Sequence, residues 1–110
     1  MDSDLIIVGA GPAGPSLSIA ATAAGMRVTL VEAQPRADIA DPRPDGREIA
    51  LTHSSADILR RLGIWAAFRP DEVSPLNQAR VTNGNSPFAL DFEPAGSGRT
   101  QLGFLVPNHE

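Results

Sequence analysis

The sequence predicts an α/β fold that opens with a parallel strand–helix–strand unit and continues into a helix, a β-hairpin and a return strand. Three observations predict it. Leu5-Ile6-Ile7-Val8 is an unbroken apolar run of strand length, the pattern of a strand covered on both faces of a parallel sheet. A glycine-rich turn follows it, and then an alanine-rich stretch from Leu17 to Ala24 that reads as a helix stopped by Gly25. Further on, Asn83-Gly84 lies between two short alternating runs, which is the signature of a hairpin.

The first strand leads directly into Gly9-Ala10-Gly11-Pro12-Ala13-Gly14, a G-x-G-x-x-G turn. Each glycine has a physical task. Gly9 permits the tight turn out of the strand, Gly11 lets a pyrophosphate approach the backbone, and Gly14 lets the helix pack close to the strand. The helix amino end offers unpaired N–H groups and partial positive charge to an anion. Leu17, Ala20, Ala21 and Ala24 share one helical face, which is expected to lie against the sheet. Pro15 falls near the fourth helical position and predicts a small local adjustment there. Val28–Val31 reads as the second strand. Glu32 ends it, eighteen residues past Gly14, where a carboxylate can accept hydrogen bonds from a ribose diol. Together these features predict a Rossmann-like βαβ unit that holds a dinucleotide.

Ala33 to Arg47 contains Pro35, Pro42, Pro44 and Gly46 and reads as a loop, with Asp45-Gly46 as a turn. Glu48 to Leu51 is either extended or the beginning of a helix. Ser54 or Ser55 is placed to cap a helix over Ala56 to Leu62, with Ile58, Leu59 and Leu62 as its buried face. Arg60 and Arg61 suit its last turn, and Gly63 ends it. Ile64, Trp65 and Phe68 form an apolar cluster, read as core. Ala79–Thr82 and Phe88–Phe92 are the hairpin strands, with Phe88, Leu90 and Phe92 on one face. Gly96-Ser97-Gly98-Arg99 reads as a solvated loop, Leu102–Val106 as a strand, and Pro107-Asn108 as the start of a helix that would include His109.

Composition narrows the chemistry. The chain has 110 residues and a net charge of −4, with nine arginines and no lysine. It lacks a basic run, which gives no reason to expect a nucleic-acid partner. Cysteine is absent, which excludes disulfides, thiolate catalysis and cysteine-ligated metals. The two histidines, His53 and His109, are far apart, so no metal site is expected. His53 reads as a helix-start or surface residue. No catalytic residue is assigned. Gly14-Pro15-Ser16-Leu17-Ser18 lacks the last glycine of a nucleophile elbow, and a phosphate-binding P-loop would need a lysine. No apolar run is long enough to span a bilayer, and the acidic start Met1-Asp2-Ser3-Asp4 is unlike a signal peptide; a cytoplasmic location is the expectation.

Beyond the glycine turn, four segments carry a resemblance: Asp4 to Glu32, Asp45-Gly46-Arg47-Glu48-Ile49-Ala50-Leu51, the L-R-R-L-G-I-W run from Leu59 to Trp65, and L-G-F-L-V-P-N from Leu102 to Asn108. In this order they resemble the amino-terminal part of the FAD-dependent aromatic hydroxylases of ubiquinone biosynthesis, within the para-hydroxybenzoate hydroxylase-like flavin monooxygenases. The resemblance implies that the turn at Gly9, Gly11, Pro12, Ala13 and Gly14 holds the FAD pyrophosphate. It implies that Glu32 binds the adenosine ribose and that Arg47 lies along the pyrophosphate and ribityl chain. A turn arginine paired with Asp45 or Glu48 is the alternative for Arg47. It further implies an aromatic small-molecule substrate, NAD(P)H and oxygen as co-substrates, and room for peripheral membrane association of the full-length enzyme. Residues 1–74 would be the first part of the FAD-binding domain, and 75–110 the start of a substrate-domain hairpin and sheet, with the return strand. The later D-G and G-D motifs of that family have no counterpart here, so the expectation is an incomplete domain, inactive alone. Two alternatives stay open: another FAD or NAD(P) oxidoreductase sharing the βαβ unit, or a non-catalytic truncated fragment.

Overall fold

A computed structural model describes residues 2–110. The chain runs β1 (Leu5–Val8), α1 (Ala13–Ala23), β2 (Val28–Val31), α2 (Arg36–Ala40), β3 (Glu48–Thr52), α3 (His53–Arg61), a 3-10 turn at Trp65–Ala67, β4 (Ser74–Leu76), β5 (Ala79–Thr82), β6 (Ala89–Phe92) and β7 (Gly103–Pro107). The strands form three small sheets: parallel β1-β2, antiparallel β3-β7-β4, and the β5-β6 hairpin. The Cα radius of gyration is 17.3 Å. A compact domain of about 100 residues has about 13 Å, so these sheets are strung out rather than stacked around one core.

In the first unit, β1 and β2 pair in parallel, Leu5 with Val28 through Val8 with Val31. Asp4 and Arg27 clamp the start of the pair. The Asp4 N–H donates to the Arg27 carbonyl at 2.8 Å, while the Asp4 carboxylate accepts from the Arg27 N–H and guanidinium. The α1 helix begins at Ala13, four residues before the predicted Leu17, so Pro15 is its third residue. Proline is tolerated in the first turn because no backbone hydrogen bond is lost there. The helix closes as expected at Gly25, with φ +86. The Gly25 N–H donates to Thr22 and the Met26 N–H to Ala21, a Schellman closure.

The face that α1 turns to the sheet differs from the predicted one. Ala21 is buried and Gly14 and Ser18 are half-buried, whereas Leu17 is 52% exposed and Ala20 and Ala24 are exposed. The reason is Gly14. A Cβ there would lie 2.0 Å from the Gly9 carbonyl oxygen and 3.4 Å from the Leu30 side chain. That close approach turns the Gly14–Ser18–Ala21 stripe inward and rotates Leu17 out.

The second unit departs more from expectation. A five-residue helix, α2, interrupts the predicted loop, started by Pro35 and carrying Asp38 in its first turn. It is too short to show apolar periodicity. Glu48–Thr52 takes the extended option, and α3 starts at His53, capped by Thr52 rather than by Ser54 or Ser55. The Thr52 hydroxyl accepts from the Ser55 N–H at 3.1 Å. Ala56 is the fully buried residue of α3, Leu59 and Leu62 are half-buried, and Ile58 is 54% exposed, contrary to its predicted place in the buried face. Gly63, φ +76, ends α3.

The β7 strand lies between β3 and β4, pairing Ile49 with Val106, Leu51 with Phe104 and Pro75 with Phe104. It runs through Pro107, and Asn108-His109 form a turn, so the helix predicted there is replaced by the end of a strand. The Asn108 N–H donates instead to the Arg47 carbonyl, extending the β3–β7 ladder. Trp65 packs edge-on against Phe104 at 5.0 Å and Phe68 at 5.6 Å, with the Arg60 guanidinium 4.5 Å over the Trp65 ring. Trp65 and Phe68 thus meet, with Phe104 added, but Ile64, Trp65 and Phe68 are only half-buried, and Ile64 and Phe68 border an open cleft instead of a core. The hairpin forms around Asn83-Gly84, held by the Arg80–Asp91 cross-strand pair at 2.6 Å. Phe88, Leu90 and Phe92 are all exposed, at 82%, 59% and 46%.

Gly14 gives a test of sign. Alanine ordinarily stabilises a helix over glycine by about 1 kcal/mol. Overpacking against a fixed backbone costs about 1–3 kcal/mol. Gly14→Ala is therefore expected to lower the urea midpoint of the chain; an unchanged or raised midpoint refutes the close packing of α1 on the bend.

Candidate functional site

The site begins where β1 ends. The Gly9 N–H donates to the Val31 carbonyl at 2.8 Å, which is the last rung of the parallel ladder. At Gly9 φ is +105, a value L side chains avoid, and the chain bends away from the sheet. The bend turns the Ala10 N–H toward the tip of β2, where the Glu32 carboxylate accepts it at 2.6 Å. The other Glu32 oxygen accepts from the Gln34 N–H at 2.9 Å. These donors, Ala10 first, hold the carboxyl below the usual glutamate range against the opposing effect of burial. An ionised carboxylate has about four acceptor positions, so Glu32 keeps capacity for further hydroxyl donors.

Gly11, Pro12 and Ala13 follow on the exposed rim of the bend. A side chain at Gly11 would meet open space, and no side chain caps the start of α1. The Gly14 N–H is bonded to the Gly11 carbonyl at 3.1 Å, while the Gly11 and Ala13 N–H groups have no acceptor among the described residues. One unpaired donor in the bend, Gly11, and one at the helix start, Ala13, fit an anion, and a neighbouring carboxylate fits a sugar diol. The donor set therefore suits a nucleotide diphosphate and its ribose.

These groups open on a cleft of about 520 Å³, within the roughly 300–1,000 Å³ of small-molecule and cofactor sites. One wall is the bend and α1: Ala10, Gly11, Pro12, Ser16, Ile19 and Glu32. The second unit lines the cleft with apolar Ile49, Leu51, Leu59, Ile64, Phe68 and Val106, and with polar Asn108 and Glu110. Sequence reasoning missed Gln34, Ser16 and Asn108, which also line the cleft. Gln34 and Ser16 lie close to the glycine turn and could have been proposed from position. Asn108 reaches the site only through the β3–β7 pairing, for which no local signal exists.

Arg47 stands apart from the cleft lining. Its guanidinium pairs with Asp45, Nη2 to Oδ2 at 2.7 Å, and its side chain is 74% exposed. The backbone N–H of Arg47 also donates to Asp45 at 2.9 Å, and Asn108 Nδ2 donates to the same carboxylate at 2.8 Å. The Arg47 backbone and side chain, with Asn108, bring the Asp45 carboxyl down to about 2. His53 is the first residue of α3, its Nε2 2.8 Å from the Gln101 carbonyl oxygen. Among the described residues no group of three His, Asp or Glu side chains could hold a metal ion, and no helix is long and apolar enough to cross a membrane.

With this mixed α/β arrangement in place, comparison with known proteins defines the class. Residues 2–104 match the FAD binding domain family, and the chain belongs to it; FAD is its cofactor. It is 43% identical, over 99% of its length, to the ubiquinone hydroxylase UbiM of Neisseria meningitidis, of which it covers 24%. It is 29% identical to the 3-demethoxyubiquinol 3-hydroxylase of Escherichia coli over 96% of its length, covering 27% of that protein. It is 27% identical to the ubiquinone hydroxylase UbiL of Rhodospirillum rubrum over 96% of its length, covering 24% of that protein. The chain thus spans about a quarter of the length of these curated relatives.

The Asp45 node makes a pH prediction. Its folded value lies below the ordinary 3.8, so its contribution is complete above 3.8 and is lost as pH falls toward about 2. Urea midpoints measured down that range should fall more steeply for the parent chain than for Asp45→Asn. Parallel profiles would show that the three-way contact at Asp45 does not persist in solution.

Proposed function

We propose that the chain is the part of an FAD-dependent monooxygenase that grips the adenosine diphosphate half of the cofactor. The full enzyme would hydroxylate an aromatic ring of the ubiquinone-precursor type with NAD(P)H and oxygen. The FAD family membership and the hydroxylase names of the relatives support this reading. The observation that carries it is the Glu32–Ala10 bond across the mouth of the glycine bend, at 2.6 Å. It sets an acceptor for the ribose and donors for the diphosphate on one rim of one cleft.

In this reading Gly9, Gly11, Pro12, Ala13 and Gly14 form the diphosphate seat, with the Gly11 and Ala13 N–H groups as donors. Glu32 takes the ribose hydroxyls while still bracing Ala10. Arg47 adds a cation toward the diphosphate and ribityl chain after leaving its exposed, solvent-screened pair with Asp45. FAD supplies the redox chemistry when bound; these residues bind it, orient it and shield its diphosphate from water.

The β1-α1-β2 unit is then the first Rossmann-like βαβ of a larger sheet. The face of β1 away from α1 carries Ile6 at 64% and Val8 at 83% exposure, and parallel sheets are ordinarily covered on both faces. Residues 1–74 belong to the FAD-binding domain; within 75–110 the exposed β5-β6 hairpin begins the substrate-domain sheet, and β7 is the return strand, paired with β3. The chain alone binds cofactor without turning over substrate.

Titration of the chain with FAD, followed by flavin fluorescence and Trp65 quenching, is expected to saturate with a Kd of about 10–100 μM, roughly 5–7 kcal/mol. Hydrogen bonds to charged groups are worth about 1.5–3 kcal/mol, so Glu32→Ala should weaken binding by about tenfold or more. Arg47→Ala should weaken it by about threefold, in keeping with an exposed ionic contact. A flat titration, or Glu32→Ala binding like the parent, refutes the assignment.

A further inference from the structure

The amino end of α1 is short of donors for an anion site. A helix start ordinarily offers four free N–H groups. Here Pro12, at the cap, and Pro15, at the third helical position, have none. The Gly14 N–H is already taken by the Gly11 carbonyl. Ala13 alone remains in the first turn.

The next residue is Ser16. Its hydroxyl donates to the Pro12 carbonyl at 2.6 Å, and its side chain lines the same cleft as Gly11, Pro12 and Glu32. The Pro12 carbonyl, at the helix cap, is the acceptor for the first intrahelical bond in any case. A serine hydroxyl rotates freely to suit its partner. Ser16 can therefore release Pro12 and turn its proton toward an anion without leaving a buried group unpaired. Ser18 supplies a built-in comparison. Its hydroxyl makes the same four-residue back-bond, to the Gly14 carbonyl at 3.0 Å, but it is half-buried and does not line that cleft.

We propose that the Ser16 hydroxyl is a ligand to the cofactor diphosphate, standing in for the N–H that Pro15 lacks. This rests on the reading of the glycine bend as the diphosphate seat. The backbone N–H groups and the hydroxyl then converge on the phosphates from two sides of the helix end, while Glu32 holds the sugar.

The test compares FAD, ADP and adenosine binding by the parent chain, Ser16→Ala, Ser16→Thr and Ser18→Ala, with the phosphorus NMR shifts of bound ADP as a second readout. Ser16→Ala should weaken FAD and ADP alike by about tenfold and leave adenosine unchanged. Ser16→Thr should restore affinity, and Ser18→Ala should match the parent in affinity and in phosphorus shifts. Alanine is the best helix former, so equal helicity by circular dichroism excludes loss of fold as the cause. If Ser16→Ala binds ADP like the parent, or loses adenosine to the same extent, the hydroxyl is only a helix back-bond and the proposal falls. If the parent itself binds neither FAD nor ADP, the underlying cofactor assignment fails instead.

Discussion

The structure depends on one contact: the amino end of α1 pressed against the bend that leaves β1. At Gly14 no Cβ fits, because the Gly9 carbonyl would be 2.0 Å away. Only glycine lets the helix axis come that near the strand. From this follow the inward turn of Ser18 and Ala21, the outward turn of Leu17, and the exposure of the helix start on the rim of the cleft. The same bend carries Ala10 within reach of Glu32. Helix placement and the position of the helix start at the site thus depend on one steric constraint.

The second unit contributes the other wall. The β7 strand joins β3 to β4 and carries Val106 and Asn108 to the cleft. Asp45 fastens the loop before β3 to the end of β7 by accepting from both Arg47 and Asn108. The aromatic group of Trp65, Phe68 and Phe104 backs this sheet, with Arg60 over the rings. Cation–π contact of this kind adds about 0.5–1 kcal/mol at an exposed site, and it keeps α3 seated where few apolar side chains are wholly covered. Among the described residues only Ala21, Ala56 and Val106 are buried apolar residues. Local hydrogen bonding and caps, rather than a deep core, hold the elements in place.

Some parts of the molecule were legible in the chain because their causes are local. Positive φ at Gly9, Gly25, Gly63 and Gly84 falls where the sequence places turns or helix stops. The two strands of the parallel pair and the Asn83-Gly84 hairpin follow from apolar runs and turn chemistry. Other parts were not legible. Thr52 caps α3 because the strand before it ends there, and Ser54 and Ser55 were equally good candidates by residue type. The five residues of α2 carry no period. Val106 and Pro107 stay extended because β3 offers them partners, Ile49 and Glu48, that lie far back in the sequence.

What the sequence by itself determined is the parallel opening unit: a strand, a glycine turn, a helix and an acid at the tip of the next strand, each specified by residues adjacent in the chain. It also carried the family, through segments spread over its whole length. Tertiary structure alone decided which face of α1 is covered, where Arg47 points, and which residues from β3, α3 and β7 complete the cleft. The physical reason is range. Backbone conformation and turn geometry are set by neighbouring side chains, whereas packing faces and cleft walls are set by contacts whose partners the chain brings together only when folded.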